Sequence, residues 1–259
     1  MSDIIVTRRS PEVAVVTINR PKRRNACNLA AWRELAASFE SLADERELRL
    51  VVLTGAAGHF SAGADISEFA ALRADPASGA AYEREVTRCY DAIEALPQPS
   101  VAAIEGFCVG GGMALAIACD FRVARSGASF GIPAARLGTV YSLRESQMLL
   151  ALVGLAQAKR ILFGGELIDA AEAARIGLID RLGEGDAIEA ALAFAGRMVE
   201  NAPLSIAGAK RTLAALARGE AAASAAAIEA LVEQAFESAD YKEGAKAFME
   251  KRRPHFVGR

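Results

Sequence analysis

Histidine is scarce: the chain has two, His59 and His255, far apart in the sequence. That is too few and too scattered for a zinc site built on imidazoles. The four cysteines, Cys27, Cys89, Cys108 and Cys119, follow no metal-ligand spacing, and three lie among apolar or small residues. They read as reduced thiols of a cytoplasmic protein, with no metal expected. Neither sign of charge dominates, since 30 basic and 32 acidic residues leave a net charge of -2. No global field is present to gather nucleic acid or a membrane surface, and neither is expected as a partner. No run of about 18 apolar residues occurs, so no membrane span is expected. Residues Met1 to Ile5 lack a basic stretch followed by an apolar one, so no signal peptide is expected.

Apolar surface is abundant instead. At 53% hydrophobic over 259 residues, the chain can bury a large core as one domain with a helical appendage. Ile4 to Thr7 and Val13 to Ile18 read as strands joined by a Ser-Pro turn. Leu29, Trp32, Leu35, Phe39 and Leu42 fall on one face of a helix capped near Asn28. Leu50 to Thr54, Val101 to Ile104 and Phe121 to Ala124 read as short apolar strands, with helices over 79–95 and 111–119. Strand, strand, helix thus recurs about three times before residue 130. From about residue 142 onward, alanine-rich segments at 170–176, 186–200, 203–217, 221–239 and 241–251 predict helix. The order points to an α/β class: a stacked core followed by a helical tail.

Two loops carry the chemistry-bearing residues. Gly110, Gly111 and Gly112 stand between a strand-like and a helix-like run. A bare backbone at a helix start exposes N–H donors and the positive end of the helix dipole, which suit a developing negative charge. The stretch from Gly58 to Ser67 follows the strand at 50–54, and its small residues let a ligand approach the backbone. N–H groups of Ala64 and Gly111, one from each loop, would converge on one oxygen as an oxyanion hole. Each well-placed donor of that kind is worth about 100- to 1000-fold in rate. Either loop alone reads equally as a tight turn.

Taken together, several segments resemble the enoyl-CoA hydratase/isomerase (crotonase) superfamily. They are INRPKRRNACN at 18–28, FSAGADI at 60–66, GFCVGGGMALAIACD at 106–120, SFGIP at 129–133, Leu137-Gly138, AAEAARIGLID at 170–180 and KRRPHF at 251–256. The resemblance covers essentially the whole chain. It implies a ClpP-like spiral of repeated β-β-α units over 1–195, followed by a helical trimerisation region over 196–259. It implies a homotrimer or a dimer of trimers, no tightly bound cofactor, and coenzyme A as part of an acyl-CoA thioester substrate. The thioester oxygen would accept the N–H groups of Ala64 and Gly111, and the species stabilised would be an enolate. The positions of Ala64, Asp65, Ile66 and Ser67 line the pantetheine and adenine path, mostly through backbone. Gly110, Gly111 and Gly112 form the second half of the hole. Lys22, Arg23 and Arg24 fall where basic side chains meet CoA phosphates, although a solvated charge cluster is an equal reading. Ala62, Pro133 and Ala134 complete the implied substrate-binding set. Asp65 and Asp120 read as loop supports, and His59 receives no catalytic role.

The sequence departs from that pattern at the acids. Hydratases of the superfamily place one glutamate two residues after the triple glycine and another after the proline of the Phe-x-x-Pro motif. Those positions hold Ala114 and Ala134, which have no proton to give or take. The following segment, GTVYSLRESQ at 138–147, is also unlike the family's and offers Tyr141, Ser142, Arg144 and Glu145. Counted from Phe130, Tyr141 matches a tyrosine of the methylmalonyl-CoA decarboxylase branch, although the histidine of that branch's first oxyanion loop is Ala64 here. Tyr141 and Glu145 are therefore candidate acid/base groups, or residues that pack and cap a helix. The implied activity is that of an acyl-CoA lyase or isomerase, decarboxylase-like rather than an efficient hydratase. Slow hydration or isomerisation through Tyr141 or Glu145, and acyl-CoA binding without turnover, remain open.

Overall fold

The apolar runs pair into two sheets, and the helices cover them. The structure, a computed structural model, describes residues 2–259. In chain order the first half comprises β1 (Ile4–Ser10), β2 (Val13–Ile18), α1 (Leu29–Ala43), β3 (Leu50–Gly55), α2 (Phe69–Leu72), α3 (Pro76–Ala95), β4 (Ser100–Ile104), β5 (Phe107–Val109), α4 (Gly111–Ala118), β6 (Phe121–Arg125) and β7 (Ser129–Gly131). The second half comprises α5 (Leu143–Gly164), β8 (Ile168–Asp169), α6 (Ala170–Arg175), β9 (Arg181–Gly183), α7 (Ala187–Val199), α8 (Pro203–Arg218), α9 (Ala221–Glu237) and α10 (Ala239–Glu250).

A six-stranded sheet runs β1-β2-β3-β4-β6-β9, parallel except for the β1–β2 hairpin. Its middle strands read as unbroken apolar runs because both faces are covered. Val16, Val51, Leu53, Ala102 and Ile104 join the core with α1, α3 and α4. Their neighbours Val15, Leu50, Val52, Val101 and Ala103 face α7, which presents Ala187, Ala191 and Ala195 at four-residue spacing. Helix α7 therefore packs on the large sheet along its length, Ala187–Val199. A smaller sheet, β5-β7-β8, stands beside the first. An isolated bridge Ser61↔Cys108 stitches the 61–64 loop to its edge, and another, Cys27↔Ala64, ties the loop to the segment before α1.

Helix α5 is 22 residues long, and an 18-residue window in it has a mean hydropathy of 1.2. It is not one continuous rod: Gly154 adopts φ 72 and ψ 168 and breaks it in two. Each half is too short for the roughly 20 residues that cross a bilayer. All four cysteines are buried and free. Burial pushes the Cys27 and Cys119 thiols up to about 12.

Candidate active site

The small sheet positions both glycine-rich loops. Ser61 donates its N–H to the Phe107 carbonyl at 2.8 Å, and Val109 returns a bond to the Ser61 carbonyl at 3.0 Å. Gly110 is anchored by its N–H to the Gly131 carbonyl at 2.9 Å and turns the chain at φ 57 into α4. The contact between the loops is close enough to exclude side chains. A Cβ on Gly112 would stand 2.5 Å from the Ser61 carbonyl oxygen, and one on Gly111 would stand 3.5 Å from the Ala64 nitrogen. On the other side Cys27 donates to the Gly63 carbonyl at 2.7 Å, and Asp65 donates to the Cys27 carbonyl at 2.8 Å. That pattern uses the Gly63 carbonyl and the Asp65 N–H on either side of Ala64 and leaves the Ala64 N–H out. Among the described residues neither the Ala64 nor the Gly111 N–H finds an acceptor. Two free donors on half-buried backbone, one at a helix N-terminus, can hold a single oxyanion.

Asp65 is nearly buried and points into the scaffold. It accepts Ser67 Oγ at 2.6 Å and Arg20 Nη1 at 3.1 Å. Burial pushes its carboxyl up, but these bonds outweigh it and hold the carboxyl below its usual value. Ile66 and Ser67 are exposed beside it. Ala62 donates its N–H to the Arg24 carbonyl at 2.9 Å. The Arg24 guanidinium lies 5.0 Å from the centre of the Phe107 ring, and His59 stacks on the same ring. Arg23 is exposed on the same turn, so a basic and aromatic rim borders the two loops.

Tyr141 closes the other side. Its hydroxyl donates to the Gly110 carbonyl at 3.5 Å, the same carbonyl that accepts the Ala114 N–H at 3.1 Å. Ala114 itself is fully buried in the first turn of α4. Pro133 and Ala134 begin a short 3-10 turn over Pro133–Leu137, and Ala134 packs half-buried against the core.

Glu145, a candidate acid/base group or helix cap by its sequence, caps a helix here. It forms a capping box with Ser142: one oxygen accepts the Ser142 N–H at 3.0 Å and the Ser142 hydroxyl at 2.7 Å. The other oxygen accepts the buried Tyr90 hydroxyl at 3.1 Å. Both oxygens are thus engaged in holding the start of α5, where Tyr141 sits just before the cap. Replacing Glu145 with Ala is expected to destabilise the fold by about 2–4 kcal/mol, because a buried tyrosine hydroxyl and a helix cap lose their partner together. Glu145→Gln, which keeps an acceptor oxygen, should cost less. Urea unfolding of the two variants checks this, and an unchanged midpoint for Glu145→Ala would remove the capping role.

Trp32 was legible only as a core residue of α1. Its indole lies behind the glycines, 3.2 Å from where a Gly111 Cβ would be. It donates Nε1–H to the Tyr82 hydroxyl at 3.0 Å and meets Tyr90 edge-on. Tyr82 and Tyr90 stand eight residues apart on the buried face of α3, a spacing that could have flagged them.

The sequence profile of the enoyl-CoA hydratase/isomerase family matches residues 8–259. The chain belongs to the enoyl-CoA hydratase/isomerase family. It is 34% identical over 251 residues to a short-chain-enoyl-CoA hydratase of Clostridium acetobutylicum, covering 96% of this chain and 95% of that protein. It is 33% identical to the 2,3-dehydroadipyl-CoA hydratase of Escherichia coli, over the full length of both. Among solved structures it is similar to an enoyl-CoA hydratase/carnithine racemase from Magnetospirillum magneticum, with a TM-score of 0.90 and 37% identity over 100% of this chain and 97% of that one. Together with these neighbours, the β-β-α spiral places the chain in the crotonase fold of this enzyme family, so the protein is an enzyme acting on acyl-CoA. Within that family, the site holds its two glycine loops together while alanines occupy 114 and 134 and the Tyr141 hydroxyl reaches the Gly110 carbonyl.

Proposed function

We propose that the protein binds an acyl-CoA thioester with its carbonyl oxygen on the Ala64 and Gly111 N–H groups, and that it uses this hole to stabilise an enolate formed by loss of CO2. The observation that carries this reading is the pair of unpaired N–H groups beside the Gly110 carbonyl that accepts the Tyr141 hydroxyl, with no carboxylate at 114 or 134. Hydration needs a base to activate water, and two alanines supply none. Decarboxylation of a malonyl-type ester needs none. The C2–carboxylate bond breaks, CO2 leaves, and its electron pair becomes the enolate held in the hole. Tyr141 then delivers one proton to C2, and solvent restores the phenol. Arg23, Arg24 and the exposed stretch at Ile66 and Ser67 would meet the CoA moiety. Exposed Phe236, Phe248 and Met249 on α9 and α10 support a homotrimer or a dimer of trimers.

The names of the relatives favour a second reading, hydration of an enoyl-CoA. Incubation with crotonyl-CoA, a 3-enoyl-CoA and methylmalonyl-CoA in deuterated water, followed by mass spectrometry, separates the two. We expect CO2 release with one deuterium at C2 from methylmalonyl-CoA, and hydration of crotonyl-CoA lower than that of acid-pair hydratases by about 100-fold or more. Fast hydration would overturn the reading. Tight binding of every ester with no turnover would leave a binding protein.

A further inference from the structure

The helix that begins just after Tyr141, capped by Ser142, is gripped from outside the core. Glu94, near the end of α3, accepts on a single carboxylate oxygen from both Arg144 and Arg218. Arg144 lies in the first turn of α5, three residues after Tyr141, and Arg218 is the last residue of α8. All three side chains are largely shielded, at 19%, 17% and 30% exposed respectively. Gln147, one turn further along α5, donates to the Arg218 carbonyl at 3.4 Å. At the other end of the same interface, Lys210 of α8 pairs with Asp120 at 2.7 Å and donates to the Gln98 carbonyl at 2.8 Å. Between these two polar attachments α8 does not close on the core. A cavity of about 700 Å³ separates its Leu213 and Ala217 from Ile117 of α4 and from Met148 and Leu152 of α5. The attachment of α8 therefore depends on its ion pairs more than on apolar packing.

We propose that Glu94 is a positioning residue for Tyr141: by clamping Arg144 to Arg218 it fixes the first turn of α5 against the C-terminal helices and so holds the phenol over the glycine loop. This rests on the reading of Tyr141 as the proton donor. The clamp is not a surface pair of the kind that contributes little. Glu94 is the carboxylate the two guanidiniums share, and Arg144 alone has a second one, Asp91 at 3.1 Å. Loss of Glu94 therefore leaves Arg218 without its ion-pair partner and brings two like charges side by side beside the α5 cap. The C-terminal helices then take part in the chemistry through α5 and without touching substrate.

The test uses the full-length protein with methylmalonyl-CoA, reading CO2 release and deuterium incorporation at C2. Glu94→Gln is expected to lower kcat about 10-fold with KM little changed, the size of effect that a sub-ångström misplacement of a catalytic group produces. Arg218→Ala should behave likewise, and Arg218→Lys should recover most of the loss. In a Tyr141→Phe background Glu94→Gln should add nothing, because the group it positions is gone. A further loss in that background, or a loss confined to KM, overturns the proposal. Full kcat in Glu94→Gln while Tyr141→Phe is impaired sinks the clamp alone. Full kcat in Tyr141→Phe sinks the donor reading on which it rests. A crystal structure of Glu94→Gln gives a second check: the contact of the Tyr141 hydroxyl with Gly110, 3.5 Å here, should lengthen, and an unmoved phenol refutes the clamp.

Discussion

Gly63→Ala is expected to abolish turnover, lowering it at least about 100-fold, while the protein still folds with reduced stability. The proposed hole consists of backbone, so no side-chain deletion would remove it, but Gly63 is wedged between the two loops. A Cβ there would stand 2.7 Å from the Val109 carbonyl and 3.0 Å from the Gly111 nitrogen. The residue also sits at φ 95, where an L side chain is strained at a cost of about 1–3 kcal/mol. The loops must part, and the Ala64 and Gly111 donors part with them. Loss of one well-placed donor costs about 100- to 1000-fold, which sets the expected size. Gly79→Ala in α3 is the control: nothing lies within 4 Å of its Cβ position, so turnover should be unchanged and stability equal or slightly higher. Full turnover by Gly63→Ala, with the same thermal midpoint, would show that the two loops do not act on one oxygen.

Local signals in the sequence carried much of the fold. The face of α1 and its Asn28 cap appear as expected, with the Asn28 side chain accepting the Ala31 N–H at 2.8 Å. The wholly apolar strands β3 and β4 are the buried centre of the parallel sheet, and the alanine-rich tail is helical. The three-residue strand β7 was not legible, since so short a stretch has no period and exists only through its partners. The break in α5 rests on one glycine inside an otherwise helical pattern, a signal too weak to read without the backbone angle. At the site, the glycines announced a close backbone approach but not what they approach. The free Ala64 N–H follows from the register of a single bridge between Cys27 and Ala64. The engagement of Glu145 depends on Tyr90, 55 residues away and on another helix. Such contacts are set by tertiary packing, which is why the sequence leaves Glu145 open between an acid and a cap while the fold shows the Tyr90 bond beside the cap.

Tyr141→Phe carries the second large effect. Removing the phenolic proton should lower CO2-coupled protonation by about 100-fold, the lower end of what a positioned general acid supplies, with binding of the CoA ester preserved. Binding should be spared because, in the proposed mode, backbone holds the thioester oxygen, and the ring keeps its place when only the hydroxyl is deleted. The pH profile provides an independent reading. Burial, and then the neighbouring Glu145 charge, push the phenol well above its ordinary value. The raised value means that the donor form persists as pH climbs past the range where a solvated tyrosine ionises, near pH 10. The rate should therefore stay level from about pH 6 to pH 9, where a carboxylic acid donor of ordinary pKa would already be ionised and ineffective. An activity that instead falls through pH 5–6 would point to a carboxyl group as the donor. Retained protonation in Tyr141→Phe would assign the proton to water entering the opening, and the tyrosine would then serve only as a lid over the glycine loop.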